Sequence, residues 1–223
     1  MEKPTHIGFI VDGNRRWARE RSLPTLEGHR RGLKKVELII EAIAKEHIPF
    51  ASFYLFSTEN WNRSKEEVTY LMNLLRKNLP SLTKKLNDNN LKCLILGSEN
   101  PIPQDLLASL RKAEQDTAEN TAGTICFCFN YGGRQEIIDA ANAAAKDGVI
   151  TAESFSAHLY HPEVPDCDLI VRTSGEERIS GFMLWRAAYS EFLFLHKYWP
   201  DIEVQDLSDI LAEYSTRSRR FGK

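Results

Sequence analysis

The stretch HIGFIVDGNRRW, His6 to Trp17, decides how the chain is read. Ile7, Phe9, Ile10 and Val11 form an apolar run of strand length that stops at Asp12-Gly13-Asn14 and passes into an Arg-rich segment of helix-forming residues. That order predicts a buried strand, a tight turn and a helix start. In an open α/β sheet, ligands bind outside the carboxyl ends of the strands, and the free N–H groups of a following helix attract anions. Asp12 is therefore placed to hold a cation beside a bound phosphate. Asp-Gly-Asn also makes a good turn with no ligand at all, because glycine adopts left-handed geometry freely and Asp and Asn tolerate it. From these residues alone the two readings stand level.

Outward from this stretch the pattern repeats. Leu23-Pro24-Thr25 breaks the first helix, and an amphipathic helix is predicted from residue 27 to residue 46, with Leu33, Val36, Ile40 and Ile43 facing a sheet. The apolar run from Phe50 to Phe56 ends in Ser57-Thr58-Glu59-Asn60-Trp61. Ser64 and Glu67 have the spacing of a capping box, opening a helix whose stripe of Val68, Leu71, Met72, Leu75 and Leu79 suits a core or the wall of an apolar cavity. A further helix is predicted after Pro80. A strand over 91–96 ends at Gly97, and Pro103 opens the next helix. The strand predicted over 124–129 ends in Asn130-Tyr131-Gly132-Gly133-Arg134 and leads to an Ala-rich helix. A short helical stretch near Phe155, a strand over 169–171 ending in Arg172-Thr173-Ser174-Gly175-Glu176, a short strand over 192–195 and a last helix from Val204 complete the chain. Strands alternating with helices predict one α/β domain over residues 1–223, with a mostly parallel central sheet of about six strands flanked by helices.

In such a sheet the four polar strand ends DGN, STENWNR, NYGGR and RTSGE fall along one edge. Arg16, Arg63, Arg134, Arg172 and Arg178 lie in or beside them, and acids are few. Guanidinium forks match phosphate oxygens, so the set suits one or two diphosphates. No G-x-x-x-x-G-K-[ST] loop occurs and no G-x-G-x-x-G follows the first strand, which argues against a Rossmann dinucleotide fold.

The net charge of −2 is close to neutral, yet eight Lys or Arg fall between Arg15 and Lys35. A basic patch in a near-neutral chain favours a small anion over nucleic acid, and about half of these residues are expected to be an ordinary solvated face. The four cysteines show no C-x-x-C pair, and Cys126 and Cys128 share one face of a strand, as expected of reduced cysteines in a cytoplasmic protein. No signal peptide or membrane-spanning run is legible. Peripheral contact with a membrane stays compatible with the sequence.

Taken together, HIGFIVDGNRRWA, FSTENWNRSKEEV, FNYGGRQEI, DLIVRTSGEERISGFMLWRAAYSEF, YWPD and the terminal RRFGK resemble the cis-prenyltransferases, isoprenyl transferases of the undecaprenyl diphosphate synthase type. The resemblance runs in order from His6 to the C-terminus. It implies elongation of an allylic diphosphate by isopentenyl diphosphate, forming Z double bonds, with Mg2+, on a homodimer. By position, Asp12 would be the essential carboxylate that places Mg2+ at the diphosphates. Gly13, Asn14, Arg15, Arg16 and Trp17, with His29 nearby, would bind the allylic diphosphate. Asn60 would act in catalysis and, with Trp61 and Arg63, orient the reacting ends, and Ser57, Thr58 and Glu59 would bind substrate. Arg172, Arg178 and Ser180 would grip isopentenyl diphosphate. Glu191 matches a metal-linked acid, Asp201 a residue near the second substrate, and Arg220-Phe221-Gly222 a tail that reaches the partner's site.

The chain departs from the family pattern at several positions. Arg15 and Ser174 stand where glycine is common, Thr25 where an arginine is common, Glu177 for a frequent histidine and Arg186 for a frequent glutamine. Arg30 or Arg31 is expected to compensate for Thr25. Leu55 and Phe129 stand where long-chain members often carry alanine, which predicts a product shorter than undecaprenyl. Two other readings fit parts of the sequence. A non-catalytic partner subunit of a heteromeric prenyltransferase tends to lose the Asp and the arginine set, which are present here. An RNA-binding α/β protein would need stacking aromatics, which are not evident.

Overall fold

The computed structural model describes residues 3–217. Six parallel strands form its sheet: β1 (His6–Ile10), β2 (Phe50–Ser57), β3 (Leu91–Leu96), β4 (Gly123–Tyr131), β5 (Leu169–Arg172) and β6 (Glu191–Phe194), in the order β3-β4-β2-β1-β5-β6. β1 is central because all five of its residues are buried, so neither face can be left to water. Seven α-helices are described: α1 (Asn14–Glu20), α2 (Thr25–Lys45), α3 (Lys65–Asp88), α4 (Gln104–Asp116), α5 (Gly133–Ala144), α6 (Ala152–Ser156) and α7 (Val204–Thr216). The α/β expectation holds, with every strand pair parallel.

The period of two along each strand sorts residues between two cores. Ile7, Phe9 and Phe53 point to the face covered by α2 and α7, where they meet Ile39, Ile40, Ile43 and Ile210. Ile10, Tyr54, Cys126, Cys128 and Ile170 point to the other face. That face is closed by the irregular segment carrying Val164, Phe182 and Met183 rather than by a long helix. Cys126 and Cys128 do share a face, and all four cysteines are buried and free. Among the described residues no helix is long and apolar enough to cross a membrane.

One boundary differs from the sequence reading. Instead of a new helix after Pro80, α3 runs unbroken through it. A proline inside a helix costs about 3 kcal/mol. Here the apolar stripe continues past it: Leu75 and Leu79 pack against α4 on one side, while Leu82 and Leu86 reach the main core on the other. Burying four leucines offsets the penalty. Leu33 also departs from expectation, since it lines an apolar cavity while Val36, Ile40 and Ile43 enter the core.

Candidate active site

The chain leaves β1 through Asp12 and Gly13, and the turn admits only glycine there. Gly13 has φ of +101°, and a Cβ on it would lie 2.6 Å from the Tyr198 ring. This geometry fixes Asp12 at the mouth of a cleft of about 430 Å3 at the carboxyl edge of the sheet. Its Oδ1 accepts from Gly13 N–H at 2.6 Å, and its Oδ2 accepts from Arg172 Nη2 at 2.8 Å and Arg16 Nη2 at 3.4 Å. Partial burial works to raise the Asp12 carboxyl, but the Arg172 hydrogen bond and charge, aided by Gly13 N–H and the Ser174 hydroxyl, outweigh it and hold the group below the usual carboxylate range.

Arg172, at the end of the neighbouring β5, is buried at 5% exposure. Its Nη1 donates to the Arg178 carbonyl at 2.5 Å and to Ser180 Oγ at 2.8 Å, while its buried Nε has no partner. Arg16 spreads its donors over Glu176 at 2.8 Å, the Ser174 carbonyl at 3.3 Å and Ser174 Oγ at 2.6 Å. The strand ends DGN and RTSGE thus interlock.

The opposite wall comes from β2 and the starts of α2 and α3. Asn60 is anchored by its Oδ1, which accepts from Ser57 N–H at 3.2 Å. Arg63 Nη1 donates to Glu67 at 3.1 Å, His29 Nε2 lies 3.2 Å from the same oxygen, and Arg15 Nε is 3.8 Å from it. Burial, then the charge of Arg63, lowers the His29 imidazole against the opposing pull of Glu67, which favours its neutral form. Sequence reasoning missed Glu67. Ser64 does cap α3, but the Glu67 carboxylate serves this cluster and not a reciprocal capping bond. Its place four residues after Arg63 was the available signal.

The sequence-predicted residues divide into two groups. Asp12, Gly13, Asn14, Arg15, Arg16, His29, Ser57, Asn60, Arg63, Arg172 and Ser180 line the cleft together. Trp17 does not: it is buried, and its indole N–H donates to Asp201 at 2.6 Å, while Arg21 donates to the other Asp201 oxygen at 3.0 Å. Asp201 therefore fastens α1 to the segment after β6. Trp61 stacks edge-on against Phe56 and donates to Asn130, supporting the turn from behind, and Thr58 packs against Gly132. Glu59 and Arg178 are exposed, and Arg178 pairs with Glu176 beside the rim. The NYGGR end, expected in the cleft, turns away from it. Asn130 ties down the carbonyls of Ser98 and Asn100, Tyr131 is buried against Glu136, and Arg134 does not line the cleft.

Glu191 stands apart from Asp12 within the chain. It pairs with Leu169 at the amino end of β5, whereas Arg172, opposite Ile10, lies three residues further on. That is roughly 10 Å along the sheet, with two strand spacings to cross as well. Glu191 instead receives Arg217 at 3.0 Å, so Glu191 and Asp12 of one chain do not share a cation. Arg220-Phe221-Gly222 falls outside the described residues. Arg30 and Arg31 pair with Glu27 and do not enter the cleft in place of an arginine at Thr25.

Among the described residues no group of three or more His, Cys, Asp or Glu could cage a metal. Mg2+ is usually held by one or two carboxylates together with substrate phosphates, and a single ionised Asp12 facing a cleft of arginines fits that donor set.

Behind Asn14 and His29 the cleft continues into an apolar cavity of about 70 Å3 bounded by Leu55, Leu71, Leu75, Phe56 and Phe129. An anion-binding mouth opening onto an apolar pocket defines a protein that handles a molecule with a diphosphate head and a hydrocarbon tail. Comparison with known proteins agrees. The family described as "Putative undecaprenyl diphosphate synthase" matches residues 10–222. The chain is 43% identical over 227 residues to an isoprenyl transferase of Agrobacterium fabrum, covering 98% of this chain and 92% of that one. It is 42% identical over 226 residues to an isoprenyl transferase of Fusobacterium nucleatum, covering 100% and 98%. Its fold is similar to that of lavandulyl diphosphate synthase from Lavandula x intermedia in complex with dimethylallyl diphosphate, with a TM-score of 0.93, 32% identity and 99% coverage of both chains. The chain belongs to the undecaprenyl diphosphate synthase family of isoprenyl transferases, and it is an enzyme that transfers prenyl groups.

Proposed function

We propose that the enzyme condenses isopentenyl diphosphate with a short allylic diphosphate, in the Z configuration, to give a polyprenyl diphosphate shorter than undecaprenyl, releasing diphosphate. The observation that carries this reading is the junction of the arginine-lined cleft with the small apolar cavity. Ionising an allylic diphosphate leaves a carbocation and a highly charged leaving group, so positive groups fixed at the departing oxygens lower the barrier. Arg16 and Arg63 line the cleft on either side of Asp12 and Asn60 and are placed to receive that charge. Arg172 and Ser180, which both line the cleft, would hold the second diphosphate. Mg2+, held by Asp12 and the substrate phosphates, would add positive charge at the leaving group. The tail of the allylic substrate would lie against Leu55 and Phe129, while its C1, at the diphosphate end in the cleft, loses diphosphate and is attacked by the isopentenyl double bond, and proton loss completes the extension.

The length argument is one of volume. An apolar cavity of about 150 Å3 holds one benzene ring. The apolar cavity here, at about 70 Å3, is half of that, bounded by Leu55 and by Phe56, whose ring lies tilted with its centroid 5.4 Å from that of Phe129. The related fold that holds dimethylallyl diphosphate supports a small allylic partner. The same reading includes a homodimer in which the C-terminal tail and Glu191 serve the assembly, supported by the exposed Phe192 on edge strand β6. The test is an incubation with Mg2+, isopentenyl diphosphate and dimethylallyl, geranyl or farnesyl diphosphate, resolving products by length. Short Z-products that vanish in Asp12→Ala are expected. An undecaprenyl-length product would overturn the length assignment, and no product from any primer would overturn the reaction.

A further inference from the structure

Ser174 is the second residue after β5, and its backbone has φ of +81°. A side chain in that region costs about 1–2 kcal/mol, because Cβ approaches the following carbonyl, and glycine escapes the cost. Gly175 beside it, at φ of +72°, is an ordinary solution to the same turn. Backbone bonding does not demand a serine either: Ser174 N–H donates to the Lys197 carbonyl at 2.9 Å, which any residue except proline would do. A strained non-glycine residue at a functional site calls for a reason in its side chain.

The reason is visible in the contacts of its hydroxyl. Ser174 is buried at 7% exposure, and its Oγ accepts from Arg16 Nη2 at 2.6 Å. The Ser174 carbonyl accepts from Nη1 of the same guanidinium at 3.3 Å, so one residue takes a bond from each end of the fork. Arg16 springs from α1, one strand away from the loop after β5, and its side chain is 38% exposed. Its remaining partners are carboxylates, Glu176 at 2.8 Å and Asp12 at 3.4 Å, and an incoming diphosphate competes for the same positive charge. The Ser174 hydroxyl is neutral and stays in place.

We infer that Ser174 is a positioning residue that accepts backbone strain in order to hold the Arg16 guanidinium at the mouth of the cleft, aimed at a diphosphate. This rests on the proposed function for the identity of the ligand, but its test does not require turnover. Titration calorimetry of the full chain with inorganic diphosphate, without metal, would compare wild type with Ser174→Ala, Ser174→Gly, Arg16→Ala and the double variant Arg16→Ala/Ser174→Ala. A hydrogen bond to a charged group predicts roughly tenfold weaker diphosphate binding in both Ser174 variants. In the Arg16→Ala background, Ser174→Ala should change affinity by less than about twofold, since coupled residues lose their joint effect once. Because only Ser174→Gly relieves the backbone, it should melt about 2–4 °C above Ser174→Ala while binding no better.

Wild-type affinity in Ser174→Ala or in Ser174→Gly would overturn the inference. So would a tenfold loss that persists without Arg16, or a wild type that does not bind diphosphate. Intact coupling in a chain that transfers no prenyl group would sink the proposed reaction while leaving the role of Ser174 standing.

Discussion

Two arginine–carboxylate pairs lie on this sheet, and they are built to opposite ends. On the back face Arg186 meets Glu136 at 2.6 Å with both side chains 1% exposed. Every nitrogen of Arg186 is used: Nη1 on Glu136, Nε on the Val164 carbonyl, Nη2 on the carbonyls of Tyr160 and His161. Glu136 also accepts from the Tyr131 hydroxyl at 2.5 Å and Tyr160 N–H at 3.2 Å. At the carboxyl edge, Arg172 meets Asp12 at 2.8 Å, but its Nε is left without a partner and the Asp12 side chain is 32% exposed. The first pair is closed among protein groups and can only hold structure. The second keeps a part-exposed carboxylate on the lining of the cleft, which is the physical mark of a ligand site.

Breaking the closed pair should produce the largest effect on folding. Arg186→Met leaves Glu136 buried and uncompensated, and a loss of about 3–5 kcal/mol is expected in urea denaturation. Arg186→Met/Glu136→Leu should recover much of it, because two apolar groups demand no partners. A mild single variant would mean that water already reaches the pair.

The open pair should respond the other way. Asp12→Asn keeps an acceptor for Arg172, so stability should move by less than about 1 kcal/mol. Turnover should fall by about 10²–10³ with the loss of charge at the diphosphates. Steady-state kinetics beside a melting curve separates the two, and an unfolded Asp12→Asn would erase the contrast.

His6 sharpens the comparison by titration. It is fully buried beneath the closed cluster, with Nδ1 donating to the Pro165 carbonyl at 2.8 Å and Nε2 lying 2.7 Å from Ser52 Oγ, an arrangement that satisfies the neutral ring. Burial lowers its pKa to about 4, against the opposing pull of the Pro165 carbonyl and with help from the charge of Arg186. The folded state therefore resists protonation while the unfolded chain protonates near 6.5. Stability should be full above pH 6.5 and decline as pH falls toward 4, by up to roughly 3 kcal/mol. Denaturation against pH in wild type and His6→Asn should show this slope only in wild type. Equal slopes would place the acid sensitivity elsewhere.

The wall of the apolar cavity should show itself in the product. Leu55 is only partly buried there, so Leu55→Ala should cost less than the usual 2–5 kcal/mol of a core leucine. It should also lengthen the product by at least one isoprenyl unit, and Leu55→Ala/Phe129→Ala by more, as read by product chromatography. Unchanged lengths would show that some other residue stops growth.

Much of this contrast was legible from residues. The strand ends DGN and RTSGE could be read as phosphate-facing because charged and small residues directly follow apolar runs, and they do meet in the cleft. NYGGR has the same look, yet Asn130 and Tyr131 serve the framework. A strand end shows where a side chain leaves the sheet, not whether a neighbouring loop has already claimed it. The family resemblance places Trp17 and Asp201 at the substrates, yet they bond each other across 184 positions of sequence. Glu67 was hidden by a local motif that explained its position without its carboxylate.

By itself the sequence determined the α/β alternation, the placement of Asp12 and the arginines at strand ends, and membership of a family, because hydrophobic period, turn chemistry and motif order are local properties. Tertiary structure alone decided which arginine is closed and which is open, that Pro80 lies within one helix, and that Ser174 carries strain to hold Arg16. Those outcomes depend on whether a buried polar atom finds a partner from a distant strand, and a partner's approach within 3 Å is a property of packing that no local pattern records.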